Sequence, residues 1–178
     1  MLGKLTSRFM NPFQSAALFL AAASCFTGCE MLNPPRSGGK PSILISLHEQ
    51  RAYLRQGKAV VSEAPISTGR EGHTTPVGNF HVTRKDIAHR SSVYGDFVDA
   101  HGRIVKAGVD SRKDSGPPGS HYLGASMPYF IEFSPGYGLH EGNRPGYPAS
   151  HGCVRLSHWK ARQFYEASTL GMPVTVRQ

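Results

Sequence analysis

Cysteine is scarce in this chain, three in 178 residues, and there is a single tryptophan. Three cysteines are too few for a domain stapled by disulfides, and an odd count leaves one thiol without an intramolecular partner. Acidic residues are also short, 12 against 20 lysines and arginines, for a formal charge of +8. No apolar run reaches the roughly 20 residues that a membrane-spanning helix needs; residues 16–26 give a run of 11. Apolar residues still make up 39%, with 20 glycines beside them. That excludes a disordered chain and a multi-span membrane protein, and the length fits one domain with an appendage.

What is present begins with an address. Lys4 and Arg8 precede the apolar run, the order of a secretory signal peptide. The stretch ends in Phe26-Thr27-Gly28-Cys29. Small residues directly before a cysteine resemble the lipobox of bacterial lipoproteins, which implies cleavage before Cys29 and acylation of that residue. Ordinary signal-peptidase cleavage after Ala21-Ala22-Ala23 is the competing reading. Residues 1–28 are thus expected to be a lipoprotein signal peptide. Residues 29–41, with Pro34, Pro35, Gly38 and Gly39, read as a flexible tether. Loss of residues 1–28 takes Cys25, Lys4 and Arg8 with it and leaves 150 residues at +6. Cys153 is then the only free thiol.

The remaining residues, 42–178, read as one mainly β, α+β domain. Residues 42–47 form a short β-rich run. Residues 51–54 and 59–66 flank Gln56-Gly57-Lys58, a hairpin signal. Residues 78–84 alternate Phe80 and Val82 with polar positions, and 127–133 form a strong apolar strand. Residues 158–170 carry Trp159, Phe164, Ala167 and Leu170 at helical spacing and end at Gly171. Residues 173–176 give a terminal strand. Residues 86–126 look loop-rich, strand-like only at 95–98 and 103–105. Many short strands with one clear helix predict a β-sandwich-like architecture.

Residues 138–157 (GLHEGNRPGYPASHGCVRLS) concentrate His140, His151 and Cys153 among turn-forming residues. A thiol attacks as its thiolate, and a nearby imidazole supplies the base that generates it. Gly152 removes a side chain beside the thiol and leaves room for the N–H groups of Gly152 and Cys153 to meet an oxyanion. These residue types fit acyl transfer. A buried structural cysteine is the bland alternative. A zinc site on His140, His151 and Cys153 lacks a fourth ligand and any CxxC or HExxH spacing. No metal and no cofactor is expected. His48, His73, His81, His89, His101, His121 and His158 are read as surface or packing residues.

His140-Glu141-Gly142, followed by Pro145-Gly146-Tyr147-Pro148-Ala149-Ser150-His151-Gly152-Cys153-Val154-Arg155, resembles the L,D-transpeptidase catalytic domain of the YkuD type. Ser67-Thr68-Gly69, Thr75-Pro76-Val77-Gly78-Asn79-Phe80 and Met127-Pro128-Tyr129-Phe130 agree in the same order. The resemblance covers residues 42–178. It implies a YkuD-like β-sandwich of mixed sheets, with one main helix after the catalytic loop. It also implies action on peptidoglycan stem peptides through a cysteine thioester. Cys153 would be the nucleophile, His140 the proton donor and acceptor, and His151 a supporting residue. Ser150 and Gly152 would shape the loop and oxyanion hole. Arg155 would hold the loop or meet a substrate carboxylate, and Tyr129 would line the substrate groove. The loop between His140 and Ser150 has nine residues, 141–149, shorter than in many members. Glu141 stands where many have Gly or Ser; its backbone carbonyl could orient the base, as one does in the family.

The expected activity is L,D-transpeptidation, forming 3–3 cross-links or attaching a protein to the wall. The alternatives are an L,D-carboxypeptidase or amidase, if water resolves the thioester, and a non-catalytic peptidoglycan-binding lipoprotein. The expected partners are stem peptides and the membrane, through the lipid on Cys29, with the chain a monomer on the periplasmic side of the envelope. An exported chain does not meet nucleic acid. Metabolic labelling with palmitate should mark the wild-type protein and not Cys29→Ala; labelling that survives the substitution excludes anchoring at Cys29.

Overall fold

The computed structural model describes residues 38–178. The expected signal peptide, Cys29 and the tether up to residue 37 lie outside the described residues. In chain order the elements are β1 (Pro41–Ser46), β2 (Arg51–Gln56), β3 (Ala59–Pro65), β4 (Gly78–His81), β5 (Arg84–Val98) and β6 (Ile104–Asp110). They continue with β7 (His121–Ser134), β8 (Tyr137–Glu141), β9 (Val154–Leu156), α1 (His158–Ala167) and β10 (Pro173–Arg177).

The strands form two five-stranded sheets, ordered β3-β2-β1-β10-β4 and β6-β5-β7-β8-β9. Both are mixed: β1 runs parallel to β10 and β8 parallel to β9, while the other pairs are antiparallel. One apolar core joins the inward residues of both sheets. Ile43, Ile45, Ala52, Leu54, Val174 and Val176 come from the first; Ile131, Phe133, Leu139, Val154 and Leu156 come from the second. Period-2 alternation accounts for the choice, since Ile43 and Ile45 share one face of β1. The one helix among the described residues packs on β7, β8 and β9 through Ala161 and Phe164. This is the expected mixed-sheet sandwich with its helix after residues 138–157.

Three local readings change. The apolar run at 78–84 does not stay in one strand. After β4 the chain crosses between sheets at Val82, which is buried and bonds to Met172 O at 2.9 Å before β5 begins. The helix ends at Ala167, not Leu170. Ser168 is extended (φ −85°, ψ 145°), and its hydroxyl donates to Phe164 O at 2.6 Å. Leu170 lies beyond the helix and is 67% exposed, and Trp159, within α1 but off its buried face, is 73% exposed; helical spacing alone misassigned both to the buried face.

The largest correction is residues 86–126. Most of them are strand: β5 spans 15 residues, β6 seven and β7 fourteen. Their burial pattern is mostly exposed or intermediate, so no apolar alternation announces them. Cross-strand backbone bonding, rather than a buried face, defines this ribbon. In the pairing of β5 with β7, Arg90 faces Ser126 and Gly95 faces Gly124, so residues 91–94 bulge opposite Ala125 alone. A Cβ at Gly124 would lie 1.9 Å from Ser91 O, so only glycine admits the bulge.

Removing the buried ring in Phe164→Ala should cost about 3–5 kcal/mol in urea unfolding. Trp159→Ala should stay within about 0.5 kcal/mol of wild type. Equal losses would contradict this placement of the helix.

Candidate active site

The parallel pairing of β8 and β9 sets Leu139 against Val154, His140 against Arg155 and Glu141 against Leu156. Leu139 and Val154 are wholly buried in the core. Strand alternation turns the next residue, His140, to the other face, where it lines a cleft of about 620 Å³. Cys153 sits one residue before β9 and lines the same cleft with Arg155, His151, Phe130 and His89.

His140 is 6% exposed, and its Nδ1 lies 2.6 Å from Glu141 O. A carbonyl only accepts, so Nδ1 carries the proton and Nε2 is left as the acceptor. Burial pushes the imidazole pKa down to about 4; the Glu141 carbonyl opposes that shift and the Arg155 guanidinium adds to it. Cys153 Sγ lies 3.6 Å from Gly136 O. Burial pushes its thiol up, against the lowering influence of the Gly138 backbone N–H and of Arg155. Burial thus disfavours the charged form of each group, the thiolate and the imidazolium.

The loop before Cys153 is fixed by hydroxyls and glycines. Ser150, 1% exposed, donates through Oγ to Cys153 O at 2.5 Å and accepts from the Gly152 N–H at 3.0 Å. The Gly152 N–H is thus engaged within the loop, which corrects the expectation that it would face an oxyanion; a short hydroxyl-closed turn takes it. Gly152 has φ 120°, and a Cβ there would lie 2.6 Å from Tyr137 Cε1. Thr75 Oγ1 accepts from Gly69 N–H at 3.0 Å and donates to Gly152 O at 2.7 Å. Ser67 exchanges backbone bonds with Arg155, and Thr68 O accepts from both Ala149 and Ser150. The Ser67-Thr68-Gly69 and Thr75 positions therefore form the cradle of the loop.

His151 is exposed and stacks on Tyr94, with centroids 4.0 Å apart at 20°. His73 meets its edge at 5.0 Å. Arg70 Nη2 donates to His151 Nε2 at 2.8 Å, which leaves Nδ1 as the protonated nitrogen. Burial, then the charges of Arg70 and His73, holds its pKa below the ordinary value. His151 is thus a neutral donor in the cleft wall. Arg155 is half-buried with no ion pair or hydrogen bond to its guanidinium among the described residues. Its stem rests on Gly142, where a Cβ would lie 3.0 Å from Arg155 Cγ.

Tyr129 does not line the cleft. It adopts φ 57° and packs against His158 and Tyr165, at 5.5 and 5.8 Å. The left-handed backbone turns its ring toward α1, which corrects its assignment to the substrate groove. Sequence reasoning passed over Tyr94, Arg70 and His73 as site residues. The Tyr94-Gly95 pair, with Gly124 across the sheet, is the one available sign of a bulge; nothing local marks Arg70. His89, read as surface or packing, stacks on Phe130 at 4.2 Å in the cleft wall. Among the described residues, no group of three His, Cys, Asp or Glu is placed to hold a metal ion.

The fold has relatives among solved structures. An L,D-transpeptidase from Mycobacterium smegmatis is 20% identical with a TM-score of 0.58, over 79% of this chain and 60% of that one. An L,D-transpeptidase from Stackebrandtia nassauensis is 21% identical with a TM-score of 0.57, over 88% and 62%. One from Xylanimonas cellulosilytica is 25% identical with a TM-score of 0.57, over 80% and 63%. The chain thus spans about three-fifths of the length of these structures. No curated protein matches it. The L,D-transpeptidase catalytic-domain model matches residues 40–176, and the chain belongs to this family, YkuD.

Proposed function

We propose that the domain is a cysteine-dependent L,D-transpeptidase of peptidoglycan stem peptides. One observation carries the reading: a thiol at Cys153, one residue before β9, and a carbonyl-oriented imidazole at His140, on the paired strand β8, line one cleft.

The chemistry follows from the protonation states. Cys153 Sγ attacks the carbonyl carbon between the L-centre of diaminopimelate and the terminal D-Ala. As the C–S bond forms, the thiol proton passes to Nε2 of His140. The tetrahedral intermediate collapses, the C–N bond breaks, and His140 returns the proton to the departing D-Ala amine. A second stem's amine attacks the thioester, gives a proton to His140 and releases the thiol, leaving a 3–3 cross-link. Burial makes each charge costly at rest, so proton transfer coincides with attack. Ser150 and Thr75 keep the loop rigid, and the Arg155 guanidinium, unpaired among the described residues, offers a bidentate site for a substrate carboxylate. The domain works as a monomer on the periplasmic side, held to the membrane by a lipid on Cys29. The +6 of the mature chain suits an anionic envelope.

Incubation of the protein with purified tetrapeptide muropeptides should give a 3–3 dimer by mass spectrometry, and Cys153→Ala should lose at least about 10³-fold in rate. Tripeptide without dimer would make water the acceptor; no turnover would favour a binding module. The acid limb of kcat/KM reports when His140 is protonated and can no longer accept. Its folded-state pKa is lowered, so activity should hold through neutral pH and fall with a midpoint near 4. A midpoint at the ordinary histidine value of 6.5 would remove His140 as the buried base.

A further inference from the structure

Glu132, on β7, has no part in the chemistry above. Its carboxylate joins two points of the cleft. Oε2 accepts from Arg84 Nε at 3.1 Å, and Oε1 accepts from the Gly136 N–H at 3.2 Å. The Gly136 carbonyl is the group that accepts the Cys153 thiol, at 3.6 Å. Gly136 lies in the two-residue turn between β7 and β8 with φ 80°, so the same turn places the thiol's acceptor and starts the strand that carries His140. The Glu132 side chain is 16% exposed and Arg84 is 47% exposed, so water screens the carboxylate far less than its partner.

The charged or titratable groups that line the cleft around Cys153 are Arg84, His89, Tyr94 and Asp96 from β5, Glu132 from β7, His140 and Glu141 from β8, Arg155 from β9 and His151 from the preceding loop. Of these, Arg155 favours the thiolate and Glu132 opposes it.

We propose that Glu132 is a positioning residue that parks Cys153 as a thiol. Through Gly136 it fixes the carbonyl that receives the S–H, and its charge adds to burial in keeping the proton on sulfur until His140 removes it during attack. Arg84 neutralises part of that charge and so sets how strongly the thiol is held. The inference rests on Cys153 as the nucleophile of the proposed function.

The test is alkylation of the purified protein by iodoacetamide across a pH series, followed on the Cys153 peptide by mass. The thiolate forms a C–S bond to the acetamide carbon, iodide leaves, and the thiol proton goes to solvent. Glu132→Gln keeps an acceptor for the Gly136 N–H but removes the charge. Its alkylation midpoint should fall by about half a pH unit or more. Arg84→Met removes a cation and leaves Glu132 unneutralised, so its midpoint should rise. Opposite shifts in two variants with wild-type melting curves are the signature; a general loosening of the cleft would move both the same way. Unchanged midpoints, or shifts of the same sign, overturn the proposal. Should Glu132→Gln not fold, Arg84→Met decides alone, and an unchanged or lowered midpoint overturns it. Because alkylation needs no peptidoglycan, this failure is distinct from muropeptide turnover that ignores Cys153→Ala.

Discussion

The parallel contact between β8 and β9 is the constraint on which the site depends. Two strands of the same direction cannot be joined by a tight hairpin and need a crossover of about a dozen residues. Here the crossover is residues 142–153, and it is the catalytic loop itself. No helix stiffens it. It is held by Ser67 Oγ on Tyr147 O, Thr68 O on the N–H groups of Ala149 and Ser150, the Arg70 N–H on Ser150 O and Thr75 Oγ1 on Gly152 O. The nine-residue spacing between His140 and Ser150 is therefore enough to return the chain beside β8. The buried pair Leu139 and Val154 locks the register, since a slip by one residue would exchange His140 with a core side chain.

Burial of this register explains the electrostatics. His140 and Cys153 both lose hydration, and each responds by favouring its neutral form. The Glu141 carbonyl opposes part of the cost for the imidazole and fixes which nitrogen is left as acceptor. On the other side of the loop, Arg70 fixes the tautomer of His151 through Nε2. Both histidines thus have their tautomers set by a single partner, one as acceptor and one as donor toward the cleft. Tyr94 reaches His151 only because the bulge in β5 carries it outward, and that bulge exists only because Gly124 leaves room for Ser91.

Much of the sandwich was legible in the sequence, because a buried face leaves an alternating apolar record. Strands β1, β2 and β10 carry it, and so does the half of β7 that contains Ile131 and Phe133. The ribbon of β5, β6 and the first half of β7 was not legible, because its faces are largely solvated and its order comes from backbone pairing. The helix was found with its end misplaced, since Trp159 and Leu170 keep helical spacing while pointing away from the core.

For the site, the sequence by itself determined the chemical inventory. The run from Ser150 to Arg155 places a thiol, a histidine and an arginine within six residues, and His140 stands upstream. Residue type fixes what each group can donate, accept or attack, and that needs no coordinates. Tertiary structure alone decided their states and neighbours. It spent the Gly152 N–H on Ser150, turned Tyr129 toward α1, and brought Arg70, His73 and Tyr94 to His151. The reason is physical: burial and through-space contact between residues distant in sequence set desolvation, tautomer and direction, and no local spacing records them.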